Sequence, residues 1–263
     1  MDIRLSDRVA IVTGGSKGIG RAVAFALARS GASVAICARG REALDETAAA
    51  LRAAGAAPLL AVQADVTNAE DIRRFVAETA AHFSRIDILV NNAVTSAQNT
   101  FESLSEEDWR YHIDVKLLGY VRFCREVLPH LQSRGGRIVN VAGMSARIVT
   151  DFRMTNGAVN SAVTNFSKHL AEQVGKHGVT VNAVHPGYTW TPRLEAGLKR
   201  WAELEGRPLA EQTAKRIAEI PIGRFVQPED LANLITFLCS DLAGAITGQA
   251  IAVDGGSGRA ISY

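Results

Sequence analysis

Val9-Ala10-Ile11-Val12-Thr13-Gly14-Gly15-Ser16-Lys17-Gly18-Ile19-Gly20 is the stretch that decides the fold. Val9–Val12 is an apolar, strand-length run. Ile19, Val23 and Leu27 then recur at helical spacing across Gly18–Ser30. Between strand and helix lies a loop carrying Gly14, Gly15, Gly18 and Gly20, with Ser16 and Lys17 inside it. Glycine lets the backbone turn sharply and approach a ligand closely. The helix start adds free N–H groups and the positive end of a dipole, a combination suited to a pyrophosphate. A tight turn alone also uses glycines. Their place between a strand and a helix favours the phosphate-binding reading.

The same alternation continues outward. Strand candidates are Val9–Val12, Ser33–Ala38, Leu59–Ala64, Ile86–Val90, Arg137–Val141, Thr180–Val184 and Ala250–Val253. Most are near-continuous apolar runs, as in strands buried on both faces. Helix candidates between them are Glu42–Ala54, Ala69–Phe83, Glu106–Leu131, Ala158–Gly175 and Pro228–Ser240. This order predicts an α/β, three-layer, doubly wound Rossmann fold with a seven-stranded parallel sheet, as one dinucleotide-binding domain over residues 1–263. The one long insertion, Thr191–Gly223, mixes Glu, Arg and Lys with spaced Leu and Ile, and reads as one or two short helices. It follows the sixth strand at the carboxyl end of the sheet. It is therefore expected to cover a substrate as a lid; a plain surface insertion is the alternative.

Bulk composition excludes several classes. With 47% hydrophobic and 21% charged residues the chain can bury a large core. A net charge of +2 gives no electrostatic case for nucleic acid or an anionic membrane. No apolar run is long enough to span a bilayer, and the first residues do not read as a signal peptide. Cys37, Cys124 and Cys239 are scattered, without metal-ligand spacing, so buried reduced thiols and a cytoplasmic protein are expected. No metal site is expected.

Several further marks fall in order. Asp65-Val66 follows strand three, Asn91-Asn92-Ala93 strand four, Pro186-Gly187 strand six and Asp254-Gly255-Gly256 the last strand. With Thr13-Gly14-x-x-x-Gly18-x-Gly20 they resemble the short-chain dehydrogenase/reductase family from Leu5 to Gly258. The resemblance implies a dinucleotide held by Gly14, Ser16, Lys17, Gly18, Ile19 and Gly20. It implies adenine contacts at Asp65 and Val66. Asn92, Ala93, Pro186, Gly187 and Thr189 would also bind the dinucleotide, and Thr191 stands where the family often contacts the nicotinamide amide. It also implies a homodimer or homotetramer, with Glu106–Leu131 and Ala158–Gly175 at one interface and the last strand at another. The tail from Arg259 to Tyr263 is expected to reach a neighbouring subunit.

Strand two ends in Cys37-Ala38-Arg39-Gly40-Arg41, without the carboxylate that NAD sites place on the ribose hydroxyls. Arg39 can pair with a 2′-phosphate through its planar fork, and Lys17 adds a second charge. NADP is the expected cofactor, with NAD the lesser choice. Arg39 and Arg41 as solvated surface charges is the alternative.

The family resemblance also implies a Tyr general acid, a Lys four residues on, an upstream Ser and an Asn on an earlier helix. In this chain those places fall at Asn156, Asn160, Gly143 and Lys116. Asn does not titrate near neutral pH, so Asn156 cannot act as a proton donor. Asn156 and Asn160 lie four apart on one helix and share a face, which suits binding a polar ligand. Candidate substitutes are Ser145, Lys116 and Tyr188, with His185 before the same turn. Each has a plainer reading: a loop hydroxyl, a solvated lysine, a packing wall. His82, His112, His130, His169 and His177 are read as surface or helix-end residues. The expected function is an atypical NADP(H)-dependent oxidoreductase acting on a small organic substrate, such as an activated double bond or an imine-like group. A catalytically silent dinucleotide-binding pseudoenzyme, as sensor or partner subunit, and a non-redox enzyme on the same fold remain the alternatives.

Overall fold

A computed structural model describes residues 3–55, 58–95, 99–150 and 152–259. The last four residues of the proposed subunit-reaching tail lie outside them. Seven strands form one all-parallel sheet: β1 (Val9–Thr13), β2 (Ser33–Ala38), β3 (Leu59–Gln63), β4 (Ile88–Asn91), β5 (Gly136–Val141), β6 (Val179–Pro186) and β7 (Ala250–Val253). Their spatial order is β3-β2-β1-β4-β5-β6-β7, so the winding reverses between β1 and β4. Ligands of open parallel sheets bind at such a reversal, outside the carboxyl ends of the strands.

Both faces are covered. Alternate residues of β1 show it: Ala10 and Val12 pack with α1 (Gly18–Arg29), α2 (Arg41–Ala53) and α9 (Pro228–Leu238), while Ile11 packs on the other face. That second layer is α3 (Ala69–Phe83), α5 (Gly119–Gln132) and α6 (Met154–Val174). Side chains alternate across a strand, so burial on both sides gives the unbroken apolar runs seen in the sequence. Cys37, Cys124 and Cys239 are buried, and burial pushes each thiol up to about 12. Among the described residues, no helix is long and apolar enough to cross a membrane.

Several boundaries differ from the sequence reading. The span Glu106–Leu131 is not one regular helix. It is α4 (Glu106–His112), a π-helical turn at Ile113–Leu118, then α5. α6 begins at Met154, ahead of the expected Ala158, and carries Asn156 and Asn160 together. β4 is Ile88–Asn91, and Asp87 just before it still bonds both neighbours through its main chain, its N–H donating to the Val9 carbonyl at 2.9 Å and its carbonyl accepting the Arg137 N–H at 3.0 Å. The Asp87 carboxylate is buried; Oδ2 accepts the Val9 N–H at 2.9 Å, and both oxygens take the Arg85 guanidinium at 2.8 and 2.6 Å. Asp87→Ala leaves that buried N–H without an acceptor. It should cost about 3 kcal/mol in urea denaturation, and a loss below about 1 kcal/mol would show that the carboxylate does not anchor β1.

The insertion after β6 forms two helices, α7 (Pro192–Glu205) and α8 (Leu209–Ala218). Thr191 caps α7, its hydroxyl accepting the Leu194 N–H at 3.2 Å, and Pro192 opens it where its missing N–H costs nothing. Leu194, Leu198, Trp201, Ile220 and Phe225 give the insertion its own apolar cluster.

Candidate active site

The glycine loop is built from behind. The Thr13 hydroxyl accepts the N–H groups of Asn92 and Ala93 at 2.9 and 3.0 Å. The Asn92 amide in turn donates to the carbonyls of Thr13 and Gly14, at 3.0 and 3.2 Å. Asn92 is thus a brace of the loop. The loop carbonyl of Ser16 accepts the Thr47 hydroxyl at 2.8 Å. Gly14 takes φ +64° and Gly18 φ +52°, where a side chain would be strained. A Cβ on Gly20 would stand 2.3 Å from the Gly14 carbonyl oxygen. α1 starts at this loop with no side-chain cap and no acid in its first turn, so its first N–H groups keep their donor capacity for an anion. This cradle fits a pyrophosphate.

At the ends of β2 and β3 the site opens to solvent. Arg39 is exposed; its Nη1 donates to the Tyr111 hydroxyl and its guanidinium lies 5.8 Å over that ring. The Asp65 carboxylate shapes the turn after β3, accepting the N–H and hydroxyl of Thr67 at 2.9 and 2.8 Å.

Inward from the loop lies a cavity of about 350 Å³ at the carboxyl ends of β1, β4, β5 and β6. Gly14, Lys17, Gly18, Ile19, Asn92, Ala93, Pro186, Gly187, Thr189 and Thr191 stand on its wall. So do Lys116, Gly143, Ser145, Asn156, Asn160 and Tyr188. Ser16, Gly20, Arg39, Asp65 and Val66 do not.

Lys116 corrects the solvated alternative: it is 3% exposed, and its ammonium donates to the Ala142 carbonyl at 2.8 Å. The π turn carries it there. One turn on, the Tyr120 hydroxyl donates to the Val141 carbonyl at 3.0 Å, so the two side chains pin the exit of β5. Burial, then the fields of Arg193 and Arg153, hold Lys116 well below the usual lysine range. His112, read as a surface or helix-end residue, does end α4 but is 1% exposed; burial, Lys116 and Arg193 push it down to about 3. His185 is buried with Nε2 3.2 Å from the Thr164 hydroxyl, and burial foremost pushes it down to about 4.

Asn156 and Asn160 are 4% and 3% exposed. The Asn160 amide donates to the Ser145 hydroxyl at 2.9 Å. Its nitrogen lies 2.5 Å from where a Cβ on Gly143 would stand, so Asn160 fills the room a serine at 143 would need. The Oδ1 atoms of both asparagines lack a hydrogen-bond donor among the described residues. Tyr188 packs edge-on to Trp201, with ring centroids 5.9 Å apart.

Among the wall residues that escaped the sequence reading, two are charged, Arg153 and Arg193. Arg153 is the N-cap of α6, and Arg193 lies in the first turn of α7. A cation at a helix N-terminus opposes the helix dipole. That local conflict was the one sequence signal that set these arginines apart.

The sequence profile described as enoyl-(acyl carrier protein) reductase matches residues 14–258. The chain belongs to the short-chain dehydrogenase/reductase family. It is 37% identical over 256 residues to a 3-oxoacyl-[acyl-carrier-protein] reductase of Synechocystis sp., covering 96% of this chain and 97% of that one. Two solved structures share its fold and 33% of its sequence. An actinorhodin polyketide ketoreductase with NADPH superposes with a TM-score of 0.93, covering 99% of this chain and 100% of the other. L-sorbose reductase from Gluconobacter frateurii, complexed with NADPH and L-sorbose, superposes with a TM-score of 0.92 and the same coverage. The positions that the family resemblance assigns to Asn, Ser, Tyr and Lys are Lys116, Gly143, Asn156 and Asn160, and all four stand on the wall of one cavity.

Proposed function

We propose that this chain is an NADP(H)-dependent oxidoreductase that reduces a polarised double bond, an enone or an imine-like group, with Lys116 as proton donor where the family resemblance places a tyrosine. One observation carries the reading: the Lys116 ammonium is buried on the cavity wall beside the cofactor loop. One of its N–H bonds goes to Ala142, leaving two for a substrate atom. Asn156 supplies an amide for orientation only.

NADP is supported by Lys17 and Arg39, by the missing carboxylate at the end of β2, and by NADPH in the two solved relatives. Gly14, Ser16, Lys17, Gly18 and Ile19 would hold its pyrophosphate, Arg39 the 2′-phosphate, and Asp65 and Val66 the adenine. Asn92, Ala93, Pro186, Gly187, Thr189 and Thr191 would flank its nicotinamide. Bound NADPH supplies a hydride to the electrophilic carbon of the substrate. Lys116 polarises the substrate's heteroatom and gives it a proton, and water then reprotonates the amine. The Ala142 carbonyl fixes where the ammonium points, which is the positioning that such a transfer needs. α7 and α8 serve as the lid that excludes water, since Thr191, Pro192, Arg193 and Leu194 already form part of the wall.

Purified protein should consume NADPH with members of an enone and imine panel. Tight NADPH binding with no turnover across carbonyl, enone and imine compounds would overturn the reading in favour of a silent dinucleotide-binding protein.

A further inference from the structure

Charge is segregated in the cavity. The whole chain is nearly balanced, with 29 Lys and Arg against 27 Asp and Glu. Yet the described wall residues include Lys17, Lys116, Arg153 and Arg193 and no carboxylate. Lys17 belongs to the glycine loop and its phosphate end. The other three come from separate elements: the π turn, the start of α6 and the first turn of α7.

Arg153 is the best placed of them. Its guanidinium lies 4.8 Å over the Trp201 ring, which fixes the side chain without neutralising it. Arg216 stacks 4.9 Å from the same ring but is matched by Glu205 and Glu219, at 3.3 and 3.0 Å. Among the described residues the Arg153 Nε has no hydrogen-bond partner. Among the described residues the titratable groups acting on Arg153 are Arg193, the Tyr188 phenol and Arg216, and burial followed by Arg193 pushes it down to about 10. Sequestering like charges together is costly unless an anion joins them. The start of α6 adds to the field, having no acid in its first turn and no side-chain cap.

We infer that the substrate carries a carboxylate, which lies against Arg153 within the fields of Lys116 and Arg193. This rests on the cavity being the substrate end of the site proposed above, and it deepens that reading by naming the substrate class. A 2-oxo-3-enoate meets both demands. Its carboxylate would reach Arg153 while the adjacent ketone oxygen takes the Lys116 proton.

Binding is tested apart from turnover, in protein saturated with NADP⁺, so that the phosphates of the cofactor are already accommodated. The probes are 2-oxo-4-phenylbut-3-enoate and its neutral analogue 4-phenylbut-3-en-2-one, in which methyl replaces the carboxylate. Calorimetry should show the carboxylate binding about tenfold or more tightly than the ketone. Arg153→Met should erase that preference while leaving affinity for the ketone and for NADPH unchanged, which shows that the variant is folded. Equal affinities in the parent protein, or a preference that survives in Arg153→Met, would overturn the inference. Bromide, which needs no shape match, covers the case in which the cavity rejects both probes. Anomalous density is expected against the Arg153 guanidinium in crystals soaked in bromide, and its absence there would equally overturn the inference. A carboxylate preference without NADPH turnover would refute the oxidoreductase reading and leave this one standing.

Discussion

Gly20→Ala is expected to lower NADPH affinity by about 100-fold or more. The added Cβ would stand 2.3 Å from the Gly14 carbonyl oxygen and 2.4 Å from the Asn92 amide nitrogen. Neither is a flexible end that swings aside. The Gly14 oxygen is backbone, and Asn92 is held by two loop carbonyls. Relief therefore means moving the loop away from the start of α1, and losing two backbone hydrogen bonds to the pyrophosphate, about 1.5 kcal/mol each, costs about 100-fold in affinity. Overpacking of this kind also destabilises by about 1–3 kcal/mol, so thermal unfolding is followed alongside a fluorescence titration with NADPH. Gly175→Ala is the control, because nothing lies within 4 Å of its Cβ and the backbone there is right-handed helical. Wild-type affinity in Gly20→Ala would show that the loop is not the phosphate cradle.

What the sequence disclosed follows from where its signals are local. The seven strands are legible because burial on both faces leaves runs such as Val9–Val12 and Val34–Ala38 wholly apolar. The glycine loop is legible because close approach excludes a Cβ at fixed spacing. The π turn is not. Its residues keep helical dihedrals, as Ile113 (φ −60°, ψ −46°) and Leu118 (φ −69°, ψ −34°) show at either end. Composition around Asp114-Val115-Lys116-Leu117 gives no break signal either. One wide turn nonetheless changes which side chains face inward. That is why Lys116, read either as a solvated lysine or as a candidate in the site, is buried on the cavity wall. Arg153 and Arg193 were hidden for another reason: they meet only when α6, α7 and the end of β6 come together in space.

Lys116→Gln should reduce kcat by about 10²- to 10⁴-fold, the usual worth of a positioned proton donor. Gln is uncharged, of similar length, and still able to donate to the Ala142 carbonyl, so NADPH affinity should stay within about twofold. A purely structural role for Lys116 would instead lower stability and cofactor binding together. The pH profile separates the two. The ammonium is the donor, so kcat falls as pH rises through the Lys116 pKa. That limb lies below the range of free lysine, because burial and the fields of Arg193 and Arg153 favour the neutral amine. The other groups facing Lys116 do not supply such a limb near neutral pH. His112 and His185 are pushed down to about 3 and 4, so they are already uncharged there. Burial raises the Tyr120 phenol, which stays protonated, and Arg153 keeps its charge up to about 10. The limb should therefore vanish in Lys116→Gln and persist in Tyr188→Phe. In Arg153→Met it should move to higher pH, because a positive neighbour has been removed. A kcat in Lys116→Gln within about threefold of the parent, or a limb unchanged by that substitution, would assign the proton to another source. A limb that shifts upward in Arg153→Met would measure how strongly the anion-binding arginine and the proton donor act on one another across the cavity.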